Sequence, residues 1–187
     1  MNLSVTITIQ LILLRANLSW SWGYKYNVQI VQFDTLEPEN ELLVDFRNLR
    51  VVGRERSLNG TVHILEDMDG ENFQLSVDFR NDPNNNGRWR AVLYNVPIMN
   101  ICRAMKLYIG TYAKSTLRQG EITNLPFDGK SCPLPKGTYY VRNLLMNTET
   151  WPEIIPAGGV ELNYRFYKHG KPVGGASCRA VIERKLM

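Results

Sequence analysis

The side chains that most often do acid–base chemistry are scarce and far apart in this sequence. There are two histidines, His63 and His169, and histidine is the residue best suited to move protons near neutral pH. His63 falls in a predicted strand and His169 stands beside Gly170 at a predicted hairpin turn, so neither needs a reaction to explain it. The Gly-x-Ser-x-Gly, His-Glu-x-x-His and Gly-x-Gly-x-x-Gly motifs are absent from the sequence. We therefore expect no catalytic residues and no enzyme activity.

Two loops carry residues that bind phosphates or cations in other proteins. Residues 129–131, Gly-Lys-Ser, resemble the end of a phosphate-binding loop, but Asn124 stands where that loop needs its first glycine. Asp67, Asp69 and Glu71 could suggest calcium, yet the later ligands of a calcium loop are missing, which favours a hairpin turn. We expect no metal site and no cofactor.

Three further carboxylates, Asp45, Asp78 and Glu161, leave one catalytic option open, because carboxylates that meet in space can share acid–base work. Each stands at a polar position of an alternating strand. A solvated sheet face explains that position without a reaction.

The composition is that of an ordinary globular protein, with 44% hydrophobic and 21% charged residues. The net charge of +4 comes from Lys and Arg scattered through the chain without a basic run. Nucleic-acid binding needs such a concentration of positive charge, so we expect no nucleic-acid partner.

Period-two alternation of apolar and polar residues identifies the predicted strands. Segments 24–30 and 73–79 alternate most clearly, and the turn at 67–70 predicts that 73–79 forms a hairpin with the strand 61–65. Helical spacing of apolar residues predicts one helix over 99–113. The prolines within residues 119–136 predict that this segment is a loop. The remaining predicted strands are 42–52, 88–96, 138–147, 160–166 and 176–184, the last two joined at Gly170.

About eight short strands with turn signals between them, and one helix, predict a mostly β, two-layered β-sandwich. A chain of 187 residues can form one domain preceded by a targeting segment. We predict a single domain over residues 24–187.

The first 23 residues are interpreted as a signal peptide. Residues 3–14 are apolar with Ser, Thr and Gln mixed in, Arg15 follows, and the stretch is too short to span a bilayer. No basic residue precedes it and no clear cleavage site appears before Tyr24, so a buried first strand is the alternative. Sequons at Asn17 and Asn59 are compatible with secretion, and Asn59-Gly60 is the better glycosylation candidate because Asn-Gly favours an exposed turn.

The three cysteines, Cys102, Cys132 and Cys178, are too far apart for a zinc knuckle or a Cys-x-x-Cys redox pair. In a secreted chain at least two of them should pair. The third is then either a buried free thiol or a link to another chain.

The second half of the chain resembles a known family. The resemblance covers about 73–183 and is carried by a helix with Cys102, then Cys132-Pro133, then the Gly-x-Tyr-Tyr-Val-x-Asn motif of 137–143. Pro156 and the hairpin 164–170 follow. These features resemble small secreted insect proteins that are grouped with the ML-type lipid-recognition domains. Within that group the chain looks like the chemosensory CheB proteins, which are in turn similar to the ganglioside activator protein.

This resemblance implies an immunoglobulin-like sandwich whose two sheets hold a lipid or another apolar molecule, with secretion and no catalysis. In such folds an early cysteine often pairs with one in the last strand, but no early cysteine exists here. We therefore pair Cys102 with Cys132 and leave Cys178 unassigned. The inward-facing residues expected to line a ligand cavity are Phe79, Trp89, Leu93, Tyr140, Leu144, Tyr164 and Phe166.

The preferred hypothesis is a secreted, extracellular binding protein that carries or presents a lipid or another hydrophobic small molecule, such as a pheromone or other chemosensory cue. A membrane receptor is a further expected partner. The alternative is an extracellular protein–protein interaction module with a closed core, in which the same side chains only fill the interior. A lipid hydrolase is a third and remote option, because it needs a nucleophile and a base in contact.

Overall fold

The computed structural model of the chain describes residues 25–39, 41–92 and 95–185. The predicted signal peptide, the sequon at Asn17 and Leu93 lie outside these ranges. The described elements are β1 (Lys25–Thr35), β2 (Val44–Asp45), β3 (Arg50–Val52), β4 (Ser57–Ile64), β5 (Phe73–Asp82), β6 (Arg90–Ala91), β7 (Val96–Asn100), α1 (Ile101–Ala104), a π-helix (Met105–Ala113), β8 (Gly137–Leu144), β9 (Gly158–Lys168) and β10 (Lys171–Lys185).

The larger layer has the strand order β1–β10–β9–β5, with antiparallel neighbours throughout. β6 and β7 pair with β5 and extend the layer beyond it. β9 and β10 are joined by a two-residue turn, His169-Gly170, in which both residues have positive φ (49° and 77°). A turn of this kind matches the twist of two antiparallel strands, and it confirms the hairpin predicted at Gly170.

The smaller layer is built around β4. β8 pairs with one edge of β4, and β3 and β2 pair with the other. β2 also pairs in parallel with β10 through Val44 and Gly174, so the two layers are continuous at this corner. The prediction of a mostly β, two-layered sandwich with one short helix is confirmed.

The helix begins two residues later than predicted. Asn100 is its N-cap, and the Asn100 side-chain oxygen accepts the N–H of Arg103 at 3.0 Å. Met99 and Asn100 belong to β7 instead, where they pair with Leu75 and Gln74 of β5.

The hairpin predicted between 61–65 and 73–79 is wrong. β4 pairs with strands of the smaller layer, whereas β5 pairs with β9 in the larger one. The segment between them crosses from one layer to the other and is held by Met68, which is fully buried and exchanges two backbone hydrogen bonds with Leu134. Alternation identifies a strand and its buried face, but not its partner.

The predicted strand 42–52 is divided into β2 and β3. The Asp45 carboxylate accepts the backbone N–H of Arg47 at 2.8 Å, and the N–H of Leu49 donates to the carbonyl of Phe46. These bonds form a turn that leaves Phe46 and Leu49 in the core. Of the predicted strand 88–96, the described residues form β6 and the first residue of β7.

Candidate functional site

The inner face of the larger layer is an apolar surface built by strand register. Phe79, Leu162, Cys178 and Phe33 stand opposite one another on β5, β9, β10 and β1, and so form one row across four strands. Val77, Tyr164 and Ala176 form the next row, and Leu75 and Phe166 begin a third. Since side chains alternate across a sheet, all of these project toward the smaller layer.

The residues of this inner face are covered to different extents. Phe166 and Cys178 are buried, while Phe33, Phe79, Leu162 and Tyr164 keep part of their surface accessible. Burial raises the pKa of the Tyr164 phenol, and the neighbouring Cys178 thiol raises it further. The smaller layer therefore covers this inner face only in part.

A cleft of about 450 Å³ opens at one edge of this face. Its walls come from the end of β1 and from the turn between β2 and β3. We call it the Phe33 cleft, and it is lined by Phe33, Asp34, Thr35, Arg47, Leu49 and Arg50. The volume lies within the range of small-molecule binding pockets, roughly 300–1,000 Å³.

The Phe33 cleft has one aromatic ring in its lining, that of Phe33, and this ring packs against aromatic rings of the core. The ring centroids of Phe33 and Phe46 are 6.2 Å apart in an edge-on arrangement, and those of Phe46 and Phe166 are 5.9 Å apart. Leu49, the other apolar lining residue, is buried. Phe46 and Phe166 are buried and do not line the cleft, so an apolar group in the cleft contacts Phe33 and Leu49, with the aromatic rings of the core packed beneath Phe33.

The rim of the Phe33 cleft carries two guanidinium groups, of which Arg47 is paired with a carboxylate and Arg50, among the described residues, is not. Asp45 binds Arg47 through both carboxylate oxygens, at 3.0 and 2.8 Å, and this contact lowers the pKa of Asp45. Arg50 donates to the carbonyls of Arg47 and Leu49 and forms no ion pair within the described ranges. The Asp34 carboxylate, which accepts Gln32 Nε2 at 2.7 Å, also lines the cleft. Arg50 is thus the rim cation whose charge is not balanced by direct contact.

The structure brings some of the predicted lining residues together. Leu144, Tyr164 and Phe166 belong to the main core cluster, and Phe79 to a smaller one around Tyr26 and Ile182. Sequence reasoning missed Phe33 and Arg50. Phe33 continues the alternation of β1 past a bulge between Ile30 and Gln32, which hides it from a simple period-two count.

Trp89 does not lie on the inner face. The Arg179 guanidinium is 5.7 Å from the centroid of its ring, and Arg179 Nε donates to Glu161 at 2.7 Å on the outer face of the larger layer. In the described part of the chain β6 consists of Arg90 and Ala91, and Trp89 precedes it.

Tyr140 also points away from the interior. Its neighbours Tyr139 and Val141 are buried, as is Leu144 at the end of β8. The Tyr140 hydroxyl donates to the Gly120 carbonyl at 3.3 Å, and the Arg142 guanidinium lies 4.3 Å from its ring centroid. The prediction chose the wrong member of the Tyr139-Tyr140 pair, because a one-residue error of register exchanges the two faces of a strand.

The disulfide predicted between Cys102 and Cys132 is present, with the two Cα atoms 5.7 Å apart. It ties α1 to the long loop before β8. Cys178 is a buried free thiol.

Asn59 is not in an exposed turn as predicted. It lies within β4, half-buried, where its Nδ2 donates to Ser57 Oγ at 3.0 Å and its Oδ1 accepts the N–H of Asn143 at 2.8 Å. Gly60 belongs to a bulge in the pairing with β8. A glycan on Asn59 would have to replace the bond to Ser57.

The two histidines lie on different elements and have local partners. Asn48 Nδ2 contacts His63 Nε2 at 3.1 Å, and an amide nitrogen can only donate, so the network assigns the proton to Nδ1. Nδ1 then donates to Thr138 Oγ1 at 2.9 Å, the reverse of the arrangement that would activate a hydroxyl nucleophile. His169 lies in the turn between β9 and β10.

The loops singled out from the sequence have local partners as well. Asp128 Oδ1 accepts the N–H groups of Lys130 and Ser131, so the Gly-Lys-Ser segment is capped by its own preceding residue. Across the described ranges, no group of three His, Cys, Asp or Glu side chains is arranged to hold a metal ion. The same part of the chain contains no helix long and apolar enough to cross a membrane.

Comparison with known proteins gives one family match. Residues 73–162 match a family described as a protein of unknown function, DUF1091. The match begins with β5, includes the helix, both disulfide cysteines and β8, and ends within β9. No curated protein matches the chain.

Proposed function

We propose that this protein is a secreted, non-enzymatic binding protein that carries or presents a lipid-like molecule in the Phe33 cleft. The observation that carries the proposal is the combination of the Phe33 ring in the lining, which packs against the aromatic rings of the core, with the unpaired guanidinium of Arg50 at the rim. Such a cleft suits an amphiphile.

The expected affinity comes mainly from the apolar part of the ligand. Burial of apolar surface contributes roughly 25 cal/mol per Å² before the entropy of association is subtracted. Within the cleft, Phe33 and Leu49 supply the apolar surface. Arg50 adds a charge-assisted hydrogen bond for an anionic head group, which sets the orientation of the ligand.

The disulfide supports the extracellular part of the proposal, because disulfides persist in oxidising compartments. The role in presenting a pheromone or another chemosensory cue rests on the resemblance of 73–183 to the insect chemosensory proteins. A membrane receptor that binds the protein with its ligand is part of the same proposal.

A displacement assay tests this function. The protein is titrated with the neutral fluorescent probe N-phenyl-1-naphthylamine, which is then displaced with oleate. We expect Arg50→Glu to weaken oleate displacement about tenfold and to leave probe binding unchanged, since one charge-assisted contact is worth about 1.4 kcal/mol or more. Phe33→Asp should weaken both ligands.

Arg54→Glu is the matched control, because Arg54 is exposed in the turn after β3 and does not line the cleft. It makes the same charge change close by and should behave as the wild type. Equal oleate affinity in Arg50→Glu and Arg54→Glu, or probe binding that survives Phe33→Asp in a folded variant, would contradict the proposal.

One observation favours the alternative of an interaction module. Ile98 on β7 and Leu107 and Tyr112 on the π-helix are exposed large apolar side chains within a short stretch of the chain. Exposed apolar side chains that cluster often mark a protein–protein contact. A protein that binds neither probe nor oleate, and whose receptor binding is lost in Leu107→Ser, would support this function instead.

A further inference from the structure

The loop between β5 and β6 has the residue types of the first half of a calcium-binding loop. Residues 82–87 read Asp-Pro-Asn-Asn-Asn-Gly. Calcium loops place oxygen-bearing side chains at positions one, three and five and a glycine at position six. Asp82, Asn84, Asn86 and Gly87 occupy these four positions.

One oxygen of the Asp82 carboxylate is buried without a hydrogen-bond partner among the described residues. Asp82 is 2% exposed, and its Oδ2 accepts the N–H of Gly87 at 2.6 Å, which directs the carboxylate into the loop. Its Oδ1 is buried and has no hydrogen-bond partner in the part of the chain that the structure describes. A carboxylate oxygen withdrawn from water without a partner is costly, so it calls for a positively charged ligand.

Two other aspartate-led turns of the same chain provide the comparison. Asp69 accepts the N–H groups of Glu71 and Asn72 with Oδ1 and the Asn72 amide with Oδ2. Asp128 likewise has partners for both oxygens. An aspartate that only caps a turn is thus fully bonded in this protein, whereas Asp82 is not.

The shape of the loop leaves its other oxygens available. Asn85 and Gly87 have positive φ values of 50° and 80°, which curl the chain around the carboxylate. The Asn85 side chain lies against the start of β9, since a Cβ added at Gly159 would be 2.7 Å from Asn85 Oδ1. Asn84 and Asn86 remain exposed. Asn86 Oδ1 accepts the N–H of Arg88 at 3.2 Å, and an amide oxygen has a second lone pair that can still bind a cation.

We propose that residues 82–87 bind a calcium ion through Asp82 Oδ1 and the side-chain oxygens of Asn84 and Asn86, with water completing the shell. The twelfth position of a full calcium loop is a bidentate glutamate, and here it is Leu93. Arg88 and Arg90 add positive charge nearby. With a single carboxylate the affinity belongs to the weak extracellular range, on the order of 10⁻⁴–10⁻³ M.

Terbium luminescence and calcium-dependent melting test this site. Tb³⁺ replaces Ca²⁺ in oxygen sites, and Trp89, which follows the loop, can sensitise its emission. We expect wild-type emission to be displaced by Ca²⁺, and Tm to rise as CaCl₂ approaches about 10 mM but not in NaCl of equal ionic strength. Asp82→Asn should lower the affinity at least tenfold, and Asn84→Ala/Asn86→Ala, at two exposed positions, should do the same.

Asp69→Asn is the matched control, because it makes the same change in a turn whose aspartate is already fully bonded. It should bind Tb³⁺ and Ca²⁺ as the wild type does. Equal affinities in wild type, Asp82→Asn and the double alanine variant, or a Tm that does not respond to CaCl₂, would overturn the proposal. Oleate displacement is independent of the loop, so failure here leaves the proposed lipid function standing.

Discussion

Cys178 lies in the apolar row of the inner face, next to Leu162 and Phe33 in the strand register. It is 3% exposed, and burial raises the pKa of its thiol to about 12. Only the thiolate attacks alkylating agents, and at pH 8 almost none is present when the pKa is that high.

We therefore predict that Cys178 in the native protein is not alkylated by iodoacetamide at pH 8 under non-reducing conditions. The same reagent should add one group once urea has unfolded the chain, as measured by intact mass. Cys178→Ala is the control and should gain no mass in either state. Rapid labelling of the native protein would show that polar reagents reach the inner face of the larger layer at β10.

At the scale of the elements, the bulge in β4 depends on one glycine. Gly60 has a φ of 136°, and a Cβ added there would lie 2.9 Å from the backbone carbonyl carbon of Asn48 and closer still to its oxygen. Neither atom belongs to a flexible side chain that could move aside. β4 and the turn before β3 can approach only because residue 60 has no side chain.

Gly60→Ala is therefore predicted to lower the free energy of unfolding by more than about 3 kcal/mol, since it combines a strained φ with a backbone clash. Gly53→Ala is the matched control: its φ is 72°, but nothing lies within 4 Å of the added Cβ. It should cost about 1 kcal/mol from the left-handed conformation alone. Urea unfolding measures both, and equal losses would show that β4 can relax away from Asn48.

The elements also show what could be predicted from the sequence. β1, β5 and β9 follow from period-two alternation, and the β9–β10 hairpin from Gly170. Strand partners did not follow, because alternation reports burial and not the neighbour, so β4 and β5 were paired wrongly.

The candidate site was predicted only in part, for the same physical reason. Phe166, Tyr164 and Leu144 were placed correctly in the interior, while Tyr140 and Trp89 were assigned to the wrong face. The Phe33 cleft joins the end of β1 to a turn between β2 and β3. A site formed by segments that are distant in sequence leaves no local pattern to find.

For the whole molecule, the proposed function predicts that the secreted protein retains a ligand. Native mass spectrometry of protein secreted from insect cells should show an excess mass above polypeptide and glycan, and organic extraction should remove it. A carrier protein releases its ligand slowly, so the excess mass should survive purification. Phe33→Asp supplies the comparison and should be purified without it. A wild-type protein that shows no excess mass and does not bind apolar probes would favour the interaction module.

The position of Arg56 has a consequence for how copies of this protein meet one another. β1 pairs with β10 on one side, and the Arg56 side chain, from the turn before β4, donates to the carbonyls of Ile30 and Val31 at the bulge of β1. Among the described residues β1 is an edge strand of eleven residues, and an edge strand offers its carbonyls to a strand of another molecule. By occupying two of those carbonyls at the point where the strand already bends, Arg56 leaves this part of the β1 edge closed to a strand of another copy of the protein.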